Sequence, residues 1–499
     1  MTKPDELLIN AEKLLEKSQF QEVIGLLTEK QLDELENAEL YFCRAWAHYQ
    51  LGENDVSKDF SEKANAANPN LKDDLFSKGY NFDKEADYNK AIIEYEKALL
   101  LDPEFTNAYY NRGLAWHNLT DYDKAIADYD KAVVLNPEFT NAYYNRGLAY
   151  YYRGKYENAI ADYDKAILLK SDYKEAFLGR GLVWYYKNDF TKAIADYNKA
   201  IEIDDNYIIA YNNRGLAWHY LGEYNNAISD YDKAIFLNPE YTDAFINRGI
   251  AYYYKGQYNK AIEDYNEAIE LNDKRGFVYF NIGLAYFNLG YYEEAIQNYD
   301  KALESKREYP DVLNNRGMSW YAIEDYDKAI EDCTKAIEID PNYADAYNNR
   351  GIAWYFKGDL DRAEKDFEEV SKSPGYEALG FANLGNVFSS RGGFNEAGNF
   401  YDKADNCKNN PEWLQKQITQ RIDKNDQRKI LAKAKVPVQT LSQTVQIEDR
   451  IDTALANIRK YSKSDAQHVV HYTKLFVSNI YVRSLDAKMH YSNALYMND

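Results

Sequence analysis

The sequence is short of cysteine, of positive charge and of long apolar runs, and each shortage excludes something. Its three cysteines, Cys43, Cys333 and Cys407, stand far apart in 499 residues and fit no metal-binding or redox spacing, which points to a reducing compartment. Lys and Arg number 60 against 81 Asp and Glu, a net charge of −21. Such a surface is unsuited to gripping nucleic acid through phosphates or to docking on anionic lipid, since both need clustered basic residues. It suits a soluble chain with a neutral or basic partner. No window is apolar enough to span a bilayer, and the opening MTKPDELLINAEKLL is charged and has no signal core. The expected location is the cytoplasm. A phosphate loop, a catalytic-triad spacing and a paired metal-ligand motif are absent as well, so no cofactor and no metal are expected in the repeating region.

What is present is repetition. Residues 103–136 read PEFTNAYYNRGLAWHNLTDYDKAIADYDKAVVLN, and the first thirteen letters recur unchanged at 137–149. A 34-residue period places unit starts at 1, 35, 69, 103, 137, 171, 205, 239, 273, 307, 341 and 375. Glycine falls ten residues after ten of these starts, from Gly79 through Gly113 and Gly215 to Gly385. Mid-helix glycine costs about 1 kcal/mol against alanine, so its recurrence implies a close helix neighbour. Ala125, Ala159, Ala193 and their equivalents mark the matching contact on a second helix. Each unit thus reads as two amphipathic helices with a turn near Thr120-Asp121, where Gly154, Gly222, Gly256, Gly290 and Gly358 stand in other copies. Pro103, Pro137, Pro239 and Pro341 sit at joints, where proline can start a helix but not continue one.

Aromatic, glycine, aromatic, alanine, tyrosine, alanine and proline at this spacing resemble the tetratricopeptide repeat. The resemblance is good over 35–408 and weak over 1–34, where only Ala11 and Phe20 keep register. It implies an all-α, right-handed α-solenoid of about twelve helix–turn–helix units. The expected divisions are a degenerate N-terminal capping repeat (1–34), the solenoid (35–408), C-terminal capping or linker helices (409–462) and the truncated start of a separate domain (463–499). Within 409–462, Trp413, Leu414, Ile418 and Ile422 predict a helix over 412–435, and Ile447, Ile451, Leu455 and Ile458 predict another over 446–461.

One departure from the commoner family pattern is informative. The residue before the glycine is Arg112, Arg146, Arg180, Arg214, Arg248, Arg316 or Arg350, and sixteen positions later stand Asp128, Asp162, Asp196, Asp230, Asp264, Asp332 and Asp366. Where the arginine becomes Ile282 or Leu384, the aspartate becomes Asn298 or Phe400; Lys78 is matched by Glu94, and Arg44 faces Phe60. Change in step predicts a partly buried Arg–Asp pair per unit that sets helix register, rather than an arginine row for anions.

Family geometry places Asn107, Tyr110, Asn111, Leu114, His117 and Asn118 on the concave side of unit 103. Asn111 recurs as Asn145, Asn213, Asn247, Asn281, Asn315, Asn349 and Asn383, with Gly179 as the gap. An amide donates and accepts together, so such a row can hold the backbone of an extended peptide, as asparagine ladders in this family do. Tyr144, Tyr152, Tyr186, Tyr220, Tyr254 and Phe356 are candidate pockets for apolar side chains. The competing reading is that the asparagines stabilise helix surfaces or tie adjacent units together. A carboxylate clamp finds no Lys or Arg at Tyr110, Tyr144, Asn212, Asn314 or Asn348, and His117 and His219 lie three units apart, too far to share a metal.

The end of the chain breaks the period. His471-Tyr472-Thr473 followed by Ser492, Asn493, Tyr496, Asn498 and Asp499 resembles the opening of an uncharacterised bacterial domain family that reads His-Tyr-Thr and then Ser-Asn-x-x-Tyr-x-Asn-Asp. That opening is loosely similar to the first strand of ADP-ribosyltransferase folds, which implies a short, incomplete α/β segment and makes His471 and Tyr472 the candidate NAD-site residues. Two functions follow. The first is a non-enzymatic scaffold that binds an extended segment of a protein partner, with neither nucleic acid nor membrane as partner. The alternative is the sensor region of a bacterial effector whose enzymatic domain is cut short at Asp499. The sequence sets no oligomeric state.

Overall fold

The computed structural model describes residues 3–271, 275–304, 309–407 and 412–433, and helices are the only regular elements among them. They gather into two compact units, 1–237 and 238–499.

The first unit opens with α1 (Lys3–Glu16), α2 (Phe20–Leu26) and α3 (Glu29–Leu35). Six helix pairs follow: α4 (Ala38–Gln50) with α5 (Asn54–Ala67), α6 (Leu71–Lys84) with α7 (Tyr88–Leu101), and α8 (Thr106–Asn118) with α9 (Tyr122–Leu135). The remaining three are α10 (Thr140–Tyr152) with α11 (Tyr156–Leu169), α12 (Lys174–Tyr186) with α13 (Phe190–Ile203), and α14 (Ile208–Tyr220) with α15 (Tyr224–Leu237).

The second unit holds five pairs: α16 (Thr242–Tyr254) with α17 (Tyr258–Glu270), α18 (Gly276–Leu289) with α19 (Tyr292–Leu303), and α20 (Pro310–Ala322) with α21 (Tyr326–Ile339). The last two are α22 (Ala344–Lys357) with α23 (Leu360–Lys372), and α24 (Glu377–Ser390) with α25 (Phe394–Asp405); α26 (Glu412–Lys433) ends the described chain. In each pair the two helices pack along their length, and within each unit the second packs on the first helix of the next pair. This is an all-α solenoid built on the 34-residue period.

Local chemistry explains why each pair forms where it does. The turn residue is left-handed in every copy of the joint, with φ of +68° at Gly154, +77° at Gly222 and +62° at Thr120. Glycine takes that conformation without cost, whereas a β-branched threonine does not. The following helix is often capped by aspartate, as where Asp121 accepts from the Lys124 N–H and Asp189 from the Lys192 N–H. The recurrent mid-helix glycine answers a ring on the second helix: a Cβ on Gly113 would stand 2.6 Å from Tyr129 Cε1. Tyr95, Tyr129, Tyr163, Tyr197 and Tyr299 are fully buried there, and the alanines at 125, 159, 193 and 295 have no exposed surface. A small residue on one helix thus admits a large ring from the other, a close-packed arrangement.

The predicted Arg–Asp pairs are all formed, each as a two-pronged bridge through Nε and one terminal nitrogen. Arg112 Nε and Nη2 lie 2.8 and 2.6 Å from the two oxygens of Asp128, and Arg146, Arg180, Arg214, Arg248, Arg316 and Arg350 repeat this on their aspartates. Burial works to raise the Asp128 carboxyl while the guanidinium pulls it back. The remaining terminal nitrogen turns to the preceding pair. Arg146 Nη1 reaches Asp130 at 2.6 Å, Arg316 Nη1 reaches Asp300 at 2.5 Å, and Arg180 does the same to Asp164. In Arg214 and Arg350 the second partner is neutral, Asn198 at 2.6 Å or the Thr334 hydroxyl at 3.2 Å. In these five copies one guanidinium therefore ties three helices, and each of its three nitrogens donates to a protein group.

The first 34 residues depart from a simple helix pair, since α2 stops at Leu26 and α3 starts at Glu29 behind a Thr28–Gln31 capping box. Arg44, which has no aspartate opposite it, donates to the Ile24 and Leu27 carbonyls at the end of α2 and lies 4.8 Å over the Phe60 ring. At the other end, α26 packs Leu414, Ile418 and Ile422 against Ala378, Ala382 and Tyr401 of the last pair. The expected helix at 446–461, the incomplete α/β segment and the residues His471 and Tyr472 lie outside the described residues.

Candidate binding face

The sites expected to bind a partner all fall on the first helix of each pair, so their fate depends on how consecutive first helices meet. Three bridges recur around them, two between consecutive first helices and one from a first helix to the second helix of the preceding pair.

The first involves the asparagine row itself. Asn145 Nδ2 donates to Tyr110 Oη at 2.9 Å, 35 residues back, and to the Asn141 carbonyl at 2.9 Å. With the same offset Asn349 Nδ2 donates to Asn314 Oδ1 at 2.8 Å and Asn383 Nδ2 to Asn348 Oδ1 at 2.8 Å. Asn348 Nδ2 in turn approaches Asn349 Oδ1 at 3.3 Å. Asn383, Asn348, Asn349 and Asn314 therefore form a head-to-tail amide chain across α24, α22 and α20, and all four are buried. Asn111 and Asn315 are half-buried and bond only backward within their helices, to the Asn107 and Asp311 carbonyls at 2.8 Å. Asn213, Asn247 and Asn281 are buried, and Asn213 Oδ1 has no hydrogen-bond partner. At the gap, a Cβ on Gly179 would meet Tyr163 Cζ at 2.7 Å, so the Tyr163 ring occupies the space an asparagine would need.

The second bridge is aromatic. Tyr152 stacks on Tyr122 at 5.0 Å, Tyr186 on Tyr156 at 6.5 Å, Tyr220 on Phe190 at 5.2 Å and Phe356 on Tyr326 at 6.4 Å. Each ring thus covers the start of the preceding pair's second helix while part of it stays exposed. Tyr144 lies 5.1 Å from Tyr173 and 5.9 Å from Tyr163, and Tyr254 is 5.8 Å from Tyr253, edge to face. One turn away, Asn288 Nδ2 donates to Tyr253 Oη at 2.9 Å, and the Tyr355 and Ser390 hydroxyls meet at 2.6 Å.

The third bridge escaped the sequence reading. A residue just before one first helix donates to the opening turn of the preceding first helix. Tyr173 Oη reaches Asn141 Oδ1 at 3.3 Å, Arg275 Nη2 reaches Asp243 at 2.9 Å, and Tyr343 Oη reaches Asp311 at 2.8 Å. Tyr376 Oη reaches Asp345 Oδ2 at 3.0 Å. The signal was a tyrosine or arginine 32 residues after a polar residue, or 31 in the case of Tyr376 and Asp345, visible only when neighbouring units are compared.

Charge on this face is uneven. Burial pulls the His117 and His219 imidazoles down to about 4, so both are neutral at pH 7; His117 sits edge-on to Tyr122 and Tyr152 at 5.1 and 5.7 Å. Asp345, only 2% exposed, is pushed up to about 7, first by burial and also by Asp311, with Tyr376 acting against the shift. Among the described residues no group of three or more His, Cys, Asp or Glu is placed to hold a metal, and no helix is long and apolar enough to cross a membrane.

Profiles of the tetratricopeptide repeat match the chain at 75–105, 106–139, 144–208, 208–241, 242–274, 283–323, 310–343 and 333–365, more than half of its length. The chain belongs to the tetratricopeptide repeat family. As a tetratricopeptide repeat array it is a protein–protein interaction scaffold. No curated protein matches it in sequence. Among solved structures it is similar to MamA (28% identity over 34% of this chain and 94% of that one, TM-score 0.33). It is also similar to YrrB, described as a TPR protein with an unusual peptide-binding site (26% identity over 36% of this chain and 91% of that one, TM-score 0.31). The Cut9–Hcn1 hetero-tetramer of the APC/C matches over 85% of this chain and 96% of that one at 14% identity and TM-score 0.40.

Proposed function

We propose that the tetratricopeptide array holds an extended segment of a protein partner on the concave side of its first helices, with amides binding the segment's backbone. The observation that carries this reading is the state of Asn111, Asn145 and Asn315: each is half-buried, fixed by its own Nδ2, and leaves its Oδ1 without a protein partner. An amide held in this way presents an acceptor at little cost in side-chain entropy, and each bond to a peptide N–H contributes about 0.5–1.5 kcal/mol. Tyr144, Tyr152, Tyr186, Tyr220 and Tyr254 then act as half-exposed ring edges beside the segment. The buried Asn349 and Asn383 serve register, as the competing reading holds for them, and Asn213, Asn247 and Asn281 lie beneath the contact surface.

The test is a panel of acetylated random ten-residue peptides screened on the whole protein. Binders should lose at least tenfold in affinity with Asn111→Ala and Asn145→Ala combined, with helicity and Tm unchanged. Retention of full affinity by the double variant, or the absence of any binder, would overturn the reading.

A further inference from the structure

The third bridge between first helices contains an internal comparison. At this register in the second unit, Asp243 is answered by a guanidinium: Arg275 Nη2 stands 2.9 Å from its carboxylate. Arg275 occupies the position that holds an aromatic residue in the other copies, Phe105, Phe139, Tyr173, Tyr207, Tyr241, Tyr309 and Tyr343. Two and three units further on, the same acidic position carries Asp311 and then Asp345. Asp345 is met instead by a phenol, Tyr376, from one residue before that register, where the chain carries Glu377. Tyr376 Oη bonds its Oδ2, its Oδ1 is buried with no hydrogen-bond partner, and no Lys, Arg or His pairs with it among the described residues. A buried carboxyl with one neutral donor is poorly satisfied, whereas a charged donor contributes roughly twice as much as a neutral one.

We infer that Asp345 is the receptor for a basic side chain, a guanidinium foremost, of the segment bound on the first-helix face of the second unit. The inference rests on the peptide-binding reading above and gives that segment a chemistry. The incoming cation takes the place of the Tyr376 hydroxyl, as Arg275 stands in the place of a ring at Asp243. Tyr376 is half-buried and belongs to the short connection between α23 and α24, so its displacement leaves the helices in place. The neighbouring Asp311 adds negative potential, and Asn348, one turn along α22, is fixed in the amide chain and gives the site a rigid floor. A partner arginine also suits a chain of net charge −21.

The experiment uses the same random ten-residue peptides with the central residue set to arginine, lysine, citrulline or norleucine, screened on the full chain at pH 8. Arginine peptides should bind at least tenfold tighter than citrulline peptides, with lysine between them. Asp345→Asn, which keeps the shape and removes the charge, should abolish the difference. Tyr376→Arg, which supplies the guanidinium from within, should abolish it too and raise the Tm. Binding of all four classes without discrimination would overturn the basic subsite and leave the groove reading intact; binding of none would overturn both. Discrimination that survives Asp345→Asn would place the subsite elsewhere and also overturn the assignment.

Discussion

The two compact units use one repeat and the same Arg–Asp bridges, yet their first-helix faces are finished differently. In the first unit Asn145 leans on a tyrosine hydroxyl and Asn111 bonds only its own helix. In the second unit Asn315 keeps the state of Asn111, but Asn314, Asn348, Asn349 and Asn383 bond one another and are buried, and carboxylates stand at the opening turns of α16, α20 and α22. The lesson is that one register position serves two ends. Where its neighbour 35 residues back is tyrosine, the asparagine keeps an open acceptor; where that neighbour is asparagine, the pair closes on itself.

The comparison is sharpened first by what the units share. Asp162→Ala in the first and Asp332→Ala in the second each leave a mostly buried guanidinium with only its outer carboxylate, Asp130 or Asp300, so each should cost about 2–3 kcal/mol in chemical denaturation. The outer partner Asp130 is half exposed, and Asp130→Ala should cost under about 1 kcal/mol. Unequal costs for Asp162→Ala and Asp332→Ala would show that the bridges are not equivalent.

The next contrast lies in the asparagines. Asn348→Ala leaves the Asn383 donor and the Asn349 acceptor unpaired in the interior and should cost about 2–4 kcal/mol. Asn111→Ala, at a half-buried surface, should stay within about 0.5 kcal/mol. Similar values at the two sites, measured by urea unfolding, would erase the distinction between the units.

Acid separates them as well. Asp345 has a folded pKa of about 7, well above the ordinary carboxyl value, so its stabilising effect is complete in acid and is lost as pH rises toward and through 7. The groups facing it are Tyr376 and Asp311. Going from pH 8 to 5.5 should therefore stabilise the wild type relative to Asp345→Asn by about 2 kcal/mol, read from paired denaturation curves. A pH-independent difference would contradict the shift. The smallest effect belongs to the first unit: Thr120→Gly relieves a β-branched residue at φ +62° and should add up to about 1 kcal/mol, seen as a rise in Tm.

Much of this was legible in the sequence because a repeat compares itself with itself. Arg146 and Asp162 change in step within one unit, and contact follows; the recurrent Gly113 announced a close neighbour, but the ring that fills the space is Tyr129 and not the alanine expected there. What was missed lies between units. Asp130 stands sixteen residues before Arg146, just as Asp162 stands sixteen after, but comparison within a unit hides the first distance. The same holds for the tyrosine bridge, whereas an amide tie between adjacent units was the competing reading of the asparagine row. Burial was harder still: Asn111 and Asn349 are the same letter in the same register, and only the identity of the residue 35 positions earlier, Phe76 or Asn314, separates their surroundings. The split of α2 from α3 depends on a capping box at Thr28 that no periodicity announces.

Between the units at 103 and 341, the one at 273, with Ile282 and Asn298, lacks the arginine that the others carry. A one-dimensional array unfolds where its nearest-neighbour coupling is weakest. The junction between α17 and α18 is therefore a fault line: amide exchange should begin there, and the blocks on either side should open as separate cooperative lengths. The chain would then bend or fray at a place chosen by a single missing arginine.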